Sequence, residues 1–229
     1  MTEREIREQA VKAAREWLGK KESDGSHSAI IDLYNAHTPL PRGYKVRYTD
    51  AWCATYVSAV FIKLGYTDIA PPECSCTRMI DLYKAIGAWQ EDESVTPQIG
   101  DVAFYDWQDS TAAGDNRGAP DHVGIVAAAS GGMLTVIEGN YGGAVKERVL
   151  QANGRYLRGF GQPAYWQKTS AQGIAPATPS GPPAVSSWAA VAWAWAQAMG
   201  LCDATRPRDP ITREEFVTIL HRFAQSFGK

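Results

Sequence analysis

What the chain lacks narrows its chemistry first. Nowhere in its 229 residues does an apolar run approach the ~20 residues of a membrane-spanning helix. The N-terminus, Met1-Thr2-Glu3-Arg4-Glu5-Ile6, is charged with no apolar segment behind it, so neither a membrane anchor nor a secretory leader is expected. Charge of one sign is equally scarce. Lys and Arg number 23 against 25 Asp and Glu, a net −2 with no basic cluster, which gives nucleic acid and anionic membranes nothing to bind. Cysteine is sparse too, at positions 53, 74, 76 and 202, and the Cys74-Ser75-Cys76 spacing fits neither a zinc site nor a dithiol redox motif. A chain of this length buries an adequate core without disulfides, so the thiols are expected to be reduced. His27 and His37 stand in loop-like text without ligands at i, i+4 or in a Cys/His pair, and are expected to be solvated. No metal and no cofactor is expected.

What is present centres on Thr49–Gly65. Trp52, Tyr56, Val60 and Leu64 recur at helical spacing with Lys63 the one charge among them, so this helix belongs in a core. Asp50 is the expected N-cap and Gly65 the expected terminator. That frame puts Cys53 in the first turn, where free N–H groups and the helix dipole favour a thiolate.

Ahead of it, Ile6, Ala10, Ala13, Ala14, Trp17 and Leu18 make one face of a charged helix that Gly19 ends. The text from Ser23 to Tyr48 is loop-like, with a short helix around Ile30–Tyr34. A further helix is expected near Thr77–Ala88. Past Gly100 the period changes to that of strands: 101–105, 122–127, 133–138, 144–149 and about 157–160, joined by short Gly-rich turns as an antiparallel meander. Helices first and sheet second predicts an α+β domain over 1–167. A Pro/Ala-rich linker follows over 168–186. Beyond it, 187–229 reads as a helical hairpin, with one stripe through Trp188, Trp195 and Met199 and another from Phe216 to Phe227.

A thiol nucleophile needs an imidazole in reach and a third group to orient it. His122 opens a strand after a polar loop from Trp107 to Pro120 that makes one wall of a groove. His221 lies past the linker. A three-residue loop Ala129–Gly131 would set Glu138 directly opposite His122, with Asn140 two residues further on the same face, whereas a two-residue loop would separate the two onto opposite faces. Cys53, His122, Glu138 and Asn140 are therefore the candidate catalytic residues, and Trp52, Trp107, Asp121 and Tyr141 the candidate groove residues.

Asp50-Ala51-Trp52-Cys53-Ala54-Thr55-Tyr56-Val57-Ser58, Gly100-Asp101-Val102-Ala103, Asp121-His122-Val123-Gly124-Ile125-Val126 and Ile137-Glu138-Gly139-Asn140 resemble, in order, the motifs of CHAP domains, the papain-like amidohydrolases of bacterial and phage cell-wall enzymes. The resemblance implies a papain-like fold with Cys53 as nucleophile, His122 as base and Glu138 with Asn140 as polar partners. It also implies cleavage of peptidoglycan, at the N-acetylmuramoyl-L-alanine amide in preference to a stem or bridge peptide bond. Some relatives bind calcium through an acidic loop before the cysteine; Gly43–Thr49 carries no carboxylate. The C-terminal hairpin resembles one surface-layer-homology repeat through Trp193-Ala194, Ala198-Met199-Gly200-Leu201 and Pro210-Ile211-Thr212-Arg213-Glu214-Glu215-Phe216. Two roles fit it: binding a secondary wall polymer, or joining copies of the chain in a homo-oligomer through residues such as Trp188, Trp193, Trp195, Thr212, Arg213, Glu214 and Phe216. The leading expectation is an endolysin, made in a host cytoplasm and acting at the wall after release. The competing one is a catalytically silent wall-binding or structural protein on the same fold. An acyltransferase run on the same thioester chemistry is the third.

Overall fold

The computed structural model describes residues 1–92, 94–109, 118–152 and 156–169, with Ala196 and His221 as single positions beyond them. The chain divides into two units, Met1–Ser170 and Ala171–Lys229. The expected hairpin, with Trp188, Trp193, Trp195, Thr212, Arg213, Glu214 and Phe216, lies outside the described residues, as does the linker from Ser170 onward.

The first unit is α+β. Among its described residues four α-helices, α1 (Glu3–Arg15), α2 (Ser28–Asn35), α3 (Cys53–Leu64) and α4 (Cys76–Ala85), precede a six-stranded antiparallel sheet. Its strands are β1 (Trp89–Gln90), β2 (Val102–Tyr105), β3 (His122–Ser130), β4 (Met133–Glu138), β5 (Lys146–Gln151) and β6 (Leu157–Gly161), in the order β1-β6-β2-β3-β4-β5. The meander holds from β2 to β5. Then β6 crosses back to pair with the free side of β2, and the short β1, which carries no strand signal in the sequence, pairs with β6.

Thr2 opens α1 with a capping box: its hydroxyl accepts from the Glu5 N–H and the Glu5 carboxylate accepts from the Thr2 N–H. Arg7 on α1 donates to the buried Asp101 at 2.8 Å and lies over the Tyr165 ring, which ties the first helix to the root of β2. Ile6, Ala10, Ala13 and Ala14 face the core as expected, but the helix ends at Arg15, and Leu18 is exposed. At the other end of the unit, Lys168 closes a short 3-10 turn and pairs with Asp68 at 2.6 Å.

The sheet has two buried faces. On one, Val102, Phe104, Val123, Ile125 and Ile137 join α1, α2 and α3 in the main core. On the other, Ala103, Tyr105, Val126, Leu134, Val136 and Phe160 form a smaller core. Strand alternation enforces this division. Asp50 does not cap α3. Its carboxylate accepts instead from the Arg47 N–H and guanidinium and from the Tyr44 hydroxyl, so Trp52 is the N-cap residue and Cys53 the first residue of the helix, two positions nearer its end than expected. Gly65, at φ +69°, terminates it as expected. His27 is buried rather than solvated, with Nε2 3.0 Å from the Tyr48 carbonyl, while His37 is half-buried.

Candidate active site

Cys53 and His122 meet at a rim where two elements begin, since each is the first residue of its own: Cys53 of α3, His122 of β3. The approach of α3 depends on Gly139. A Cβ there would lie 2.3 Å from the Tyr56 Cβ and 3.0 Å from the Trp52 ring, so a larger residue after Glu138 would drive the helix away. This is the physical use of the glycine between Glu138 and Asn140.

The β3–β4 register is not the expected one, yet it gives the expected result by another route. The turn holds two residues, Gly131 and Gly132, both with positive φ, between Ser130 and Met133, which pair. Continued unbroken, that register would put His122 and Glu138 on opposite faces. A bulge at Ala127 inserts one residue into β3 and restores the parity, so that Glu138 pairs with Gly124 and lies diagonal to His122 on the same face. Gly124 is what lets it reach: a Cβ at that position would stand 2.8 Å from Glu138 Cγ.

The geometry that results is a relay of charged groups. His122 Nε2 is 3.0 Å from Glu138 Oε2, which leaves Nδ1 for the thiol. Glu138 is fully buried and accepts two further hydrogen bonds from Arg148, from Nε at 2.7 Å and Nη2 at 3.0 Å. The Arg148 guanidinium lies over the ring of Tyr141, 3.9 Å from its centroid, and over that of Trp107 at 4.9 Å. Cys76 Sγ is 3.7 Å from Cys53 Sγ.

These contacts set the protonation states. Burial opposes the Cys53 thiolate, but hydrogen bonds from Cys76, His122 and the Ala54 N–H outweigh it and hold the thiol well below its ordinary range, with the Cys76 contact the largest influence. Burial likewise opposes the His122 imidazolium, but Cys53 and Glu138 raise it to about 9. Glu138 stays below the usual carboxylate range despite its burial, because His122 and Arg148 both donate to it. The arrangement is a thiolate–imidazolium pair oriented by an ionised carboxylate whose charge Arg148 balances, which suits nucleophilic attack on a carbonyl.

A cleft of about 270 Å³ opens beside His122, lined by Trp107, Asn140, Tyr141, Gly142 and Arg148. Trp107 and Tyr141 thus stand where a groove was expected. Asn140, in left-handed backbone at φ +58°, lines the same cleft, but Glu138 is the residue on Nε2. Trp52 is not a groove residue. It is fully buried and its indole N–H donates to Glu22 beneath the site, because the frame that puts Cys53 first in the helix turns its neighbour inward. Asp121 does not line the cleft either; its carboxylate accepts from the Trp107 N–H at 2.8 Å and braces the start of the polar loop. Among the described residues no three His, Cys, Asp or Glu side chains converge as a metal ion would need.

Two members of the site escaped the sequence reading. Arg148 had a signal: on β5, Lys146 pairs with Glu138 and Arg148 falls two residues along the same face. Cys76 had a weaker one, standing just ahead of the Met79, Ile80 and Tyr83 stripe and so at a helix start.

No curated protein and no solved structure matches this chain. The α+β architecture, with a helix-borne cysteine and a strand-borne histidine, is consistent with a papain-like domain. Residues 43–140, the segment that holds Cys53, His122, Glu138 and Asn140, match the CHAP domain family.

Proposed function

We propose that the unit Met1–Ser170 hydrolyses amide bonds of bacterial peptidoglycan through Cys53, with the N-acetylmuramoyl-L-alanine bond as the favoured target. The observation that carries the reading is the placement of His122 between the Cys53 thiol and the buried Glu138 carboxylate. The match to the CHAP domain, whose members are typically peptidoglycan hydrolases, supplies the substrate class.

In this mechanism the Cys53 thiolate attacks the amide carbonyl. First-turn N–H groups of α3, which have no intrahelical acceptor, offer donors to the oxyanion. The His122 imidazolium gives its Nδ1 proton to the leaving amine, and a thioester forms. The now neutral imidazole takes a proton from water, which attacks the thioester, releases the acid and restores the Cys53 thiolate beside the His122 imidazolium. Glu138 keeps the ring in one orientation throughout, and Arg148 keeps Glu138 ionised. The sequence likeness of the C-terminal segment to a surface-layer-homology repeat supports a role for it in wall binding or assembly.

The test is mass spectrometry of fragments released from purified walls by the wild type and by Cys53→Ala. Free N-terminal L-alanine on intact stem peptides is the expected product, and Cys53→Ala should release none while keeping a native circular dichroism spectrum. Equal release by both proteins would remove the mechanism. Wall binding without release by the wild type would favour the catalytically silent alternative.

A further inference from the structure

Cys76 has no part in the reaction set out above, yet it opens α4 as Cys53 opens α3, and the two sulfurs are 3.7 Å apart with 9% and 6% of each residue exposed. Its place is built rather than incidental. The Ser58 hydroxyl on α3 donates to the Glu73 carbonyl and accepts from the Glu73 N–H, while Arg42 donates to the Glu73 carboxylate, which in turn accepts from the N–H groups of Cys74 and Ser75. The segment leading into α4 is thereby fastened to the nucleophile's own helix.

Two thiols in contact do not ionise together. Once one is a thiolate, the other becomes its hydrogen-bond donor, and like charge opposes a second ionisation. The groups facing the pair decide which sulfur carries the charge. Cys53 faces His122 from β3, with Glu138 of β4 behind the ring and Arg148 of β5 behind Glu138, and it receives the Ala54 N–H. Cys76 faces the Asp121 carboxylate, which disfavours an anion, with only its own backbone N–H in favour. We propose that Cys76 is a positioning residue for the nucleophile, its S–H donating to the Cys53 thiolate and holding that sulfur ionised and fixed between α4 and His122 before substrate arrives. The directions of ionisation agree: the contact lowers Cys53 and raises Cys76. A neighbouring thiol depresses the reactive one by the same means in dithiol motifs. The proposal rests on Cys53 being the nucleophile.

The experiment is the pH dependence of Cys53 alkylation by iodoacetamide, followed on its peptide by mass spectrometry, in the full-length wild type and in Cys76→Ala, Cys76→Val and Cys76→Ser, with wall hydrolysis assayed alongside. Loss of the donor in the Ala and Val variants should raise the alkylation midpoint by about one pH unit, or about tenfold less thiolate on the acid side, and should move the acid limb of kcat/KM with it. The Ser variant, which keeps a donor, should restore most of the shift. An unchanged midpoint in a folded Ala or Val variant overturns the proposal. The wild type decides the matter if neither folds, because Cys76 must then alkylate far more slowly than Cys53 near neutral pH, and comparable rates defeat the idea. Alkylation reports the thiolate whether or not walls are cut, so a failed hydrolase reading appears separately, as wall hydrolysis that survives Cys53→Ala.

Discussion

Among individual residues, charge alternates in sign along one line: the Cys53 thiolate, the His122 imidazolium, the Glu138 carboxylate and the Arg148 guanidinium. The ion pair at its head exists only between the depressed ionisation of Cys53 and that of His122 at about 9. Wall hydrolysis should therefore hold a plateau through neutral pH and fall as His122 loses its proton near pH 9, since the leaving amine then has no acid; kcat/KM against pH measures this. Glu138→Gln should move that alkaline limb to lower pH and leave residual activity, whereas His122→Ala should match the loss of the thiol. Asn140→Gly, the truncation that suits its left-handed backbone, should retain more activity than His122→Ala, because the partner on Nε2 stays in place. Stability follows the same proton. The folded His122 binds it more tightly than an ordinary imidazole of about 6.5, so its contribution is full below that value and is lost as pH rises through about 9. The depressed Cys53 thiol offsets this, since the unfolded chain keeps that proton until about pH 8.5, so melting temperature should stay nearly level from about pH 6.5 to about 8.5 and fall only as pH approaches about 9.

The second scale is the element, where β3 decides whether the relay exists at all. The bulge at Ala127 sets which face His122 occupies, and Gly124 leaves the space through which Glu138 reaches it. Gly124→Ala would bring a Cβ to 2.7 Å from Val136 Cγ1 and 2.8 Å from both Glu138 Cγ and the Ile137 carbonyl oxygen. Overpacking of that kind costs about 1–3 kcal/mol, and here it also displaces the carboxylate. A lower melting temperature together with a loss of wall hydrolysis larger than that of Asn140→Gly is expected. Activity equal to wild type would show that Glu138 has freedom to move without consequence.

For the whole molecule, the question passes to the C-terminal segment, where only the sequence speaks. Its two apolar stripes, through Trp188 and Trp195 and from Phe216 to Phe227, read from the sequence as a hairpin, and the segment is far shorter than the ~70 residues below which one core rarely suffices. Structural repeats normally stack on their neighbours, and for a segment that only resembles one such repeat we propose that it stacks between chains. Light scattering on the full chain at micromolar concentration should report an oligomer, which Trp195→Glu together with Phe216→Glu should reduce to monomers; a monomeric wild type would overturn this.

Much of the α+β unit was legible because periodicity and turn chemistry are local. The apolar helix that ends at Gly65, the strands holding His122 and Glu138, and the α+β order all follow from the chemistry of neighbouring residues. What only the tertiary structure decided are outcomes of competition between distant groups. Asp50 had the chemistry of a cap, but Arg47 and Tyr44 hold its carboxylate, and the helix begins two residues later than the cap rule implies. The turn alone would have put His122 and Glu138 on opposite faces, and a bulge with no sequence signature, flanked by the Val126–Val136 and Ala128–Thr135 pairs, reversed that. Cys76 is 23 residues from Cys53 in the chain, and Arg148 is ten from Glu138. Each entered the site because folding closed that distance, and the local signals on β5 and at the start of α4 did not say which residues they would meet.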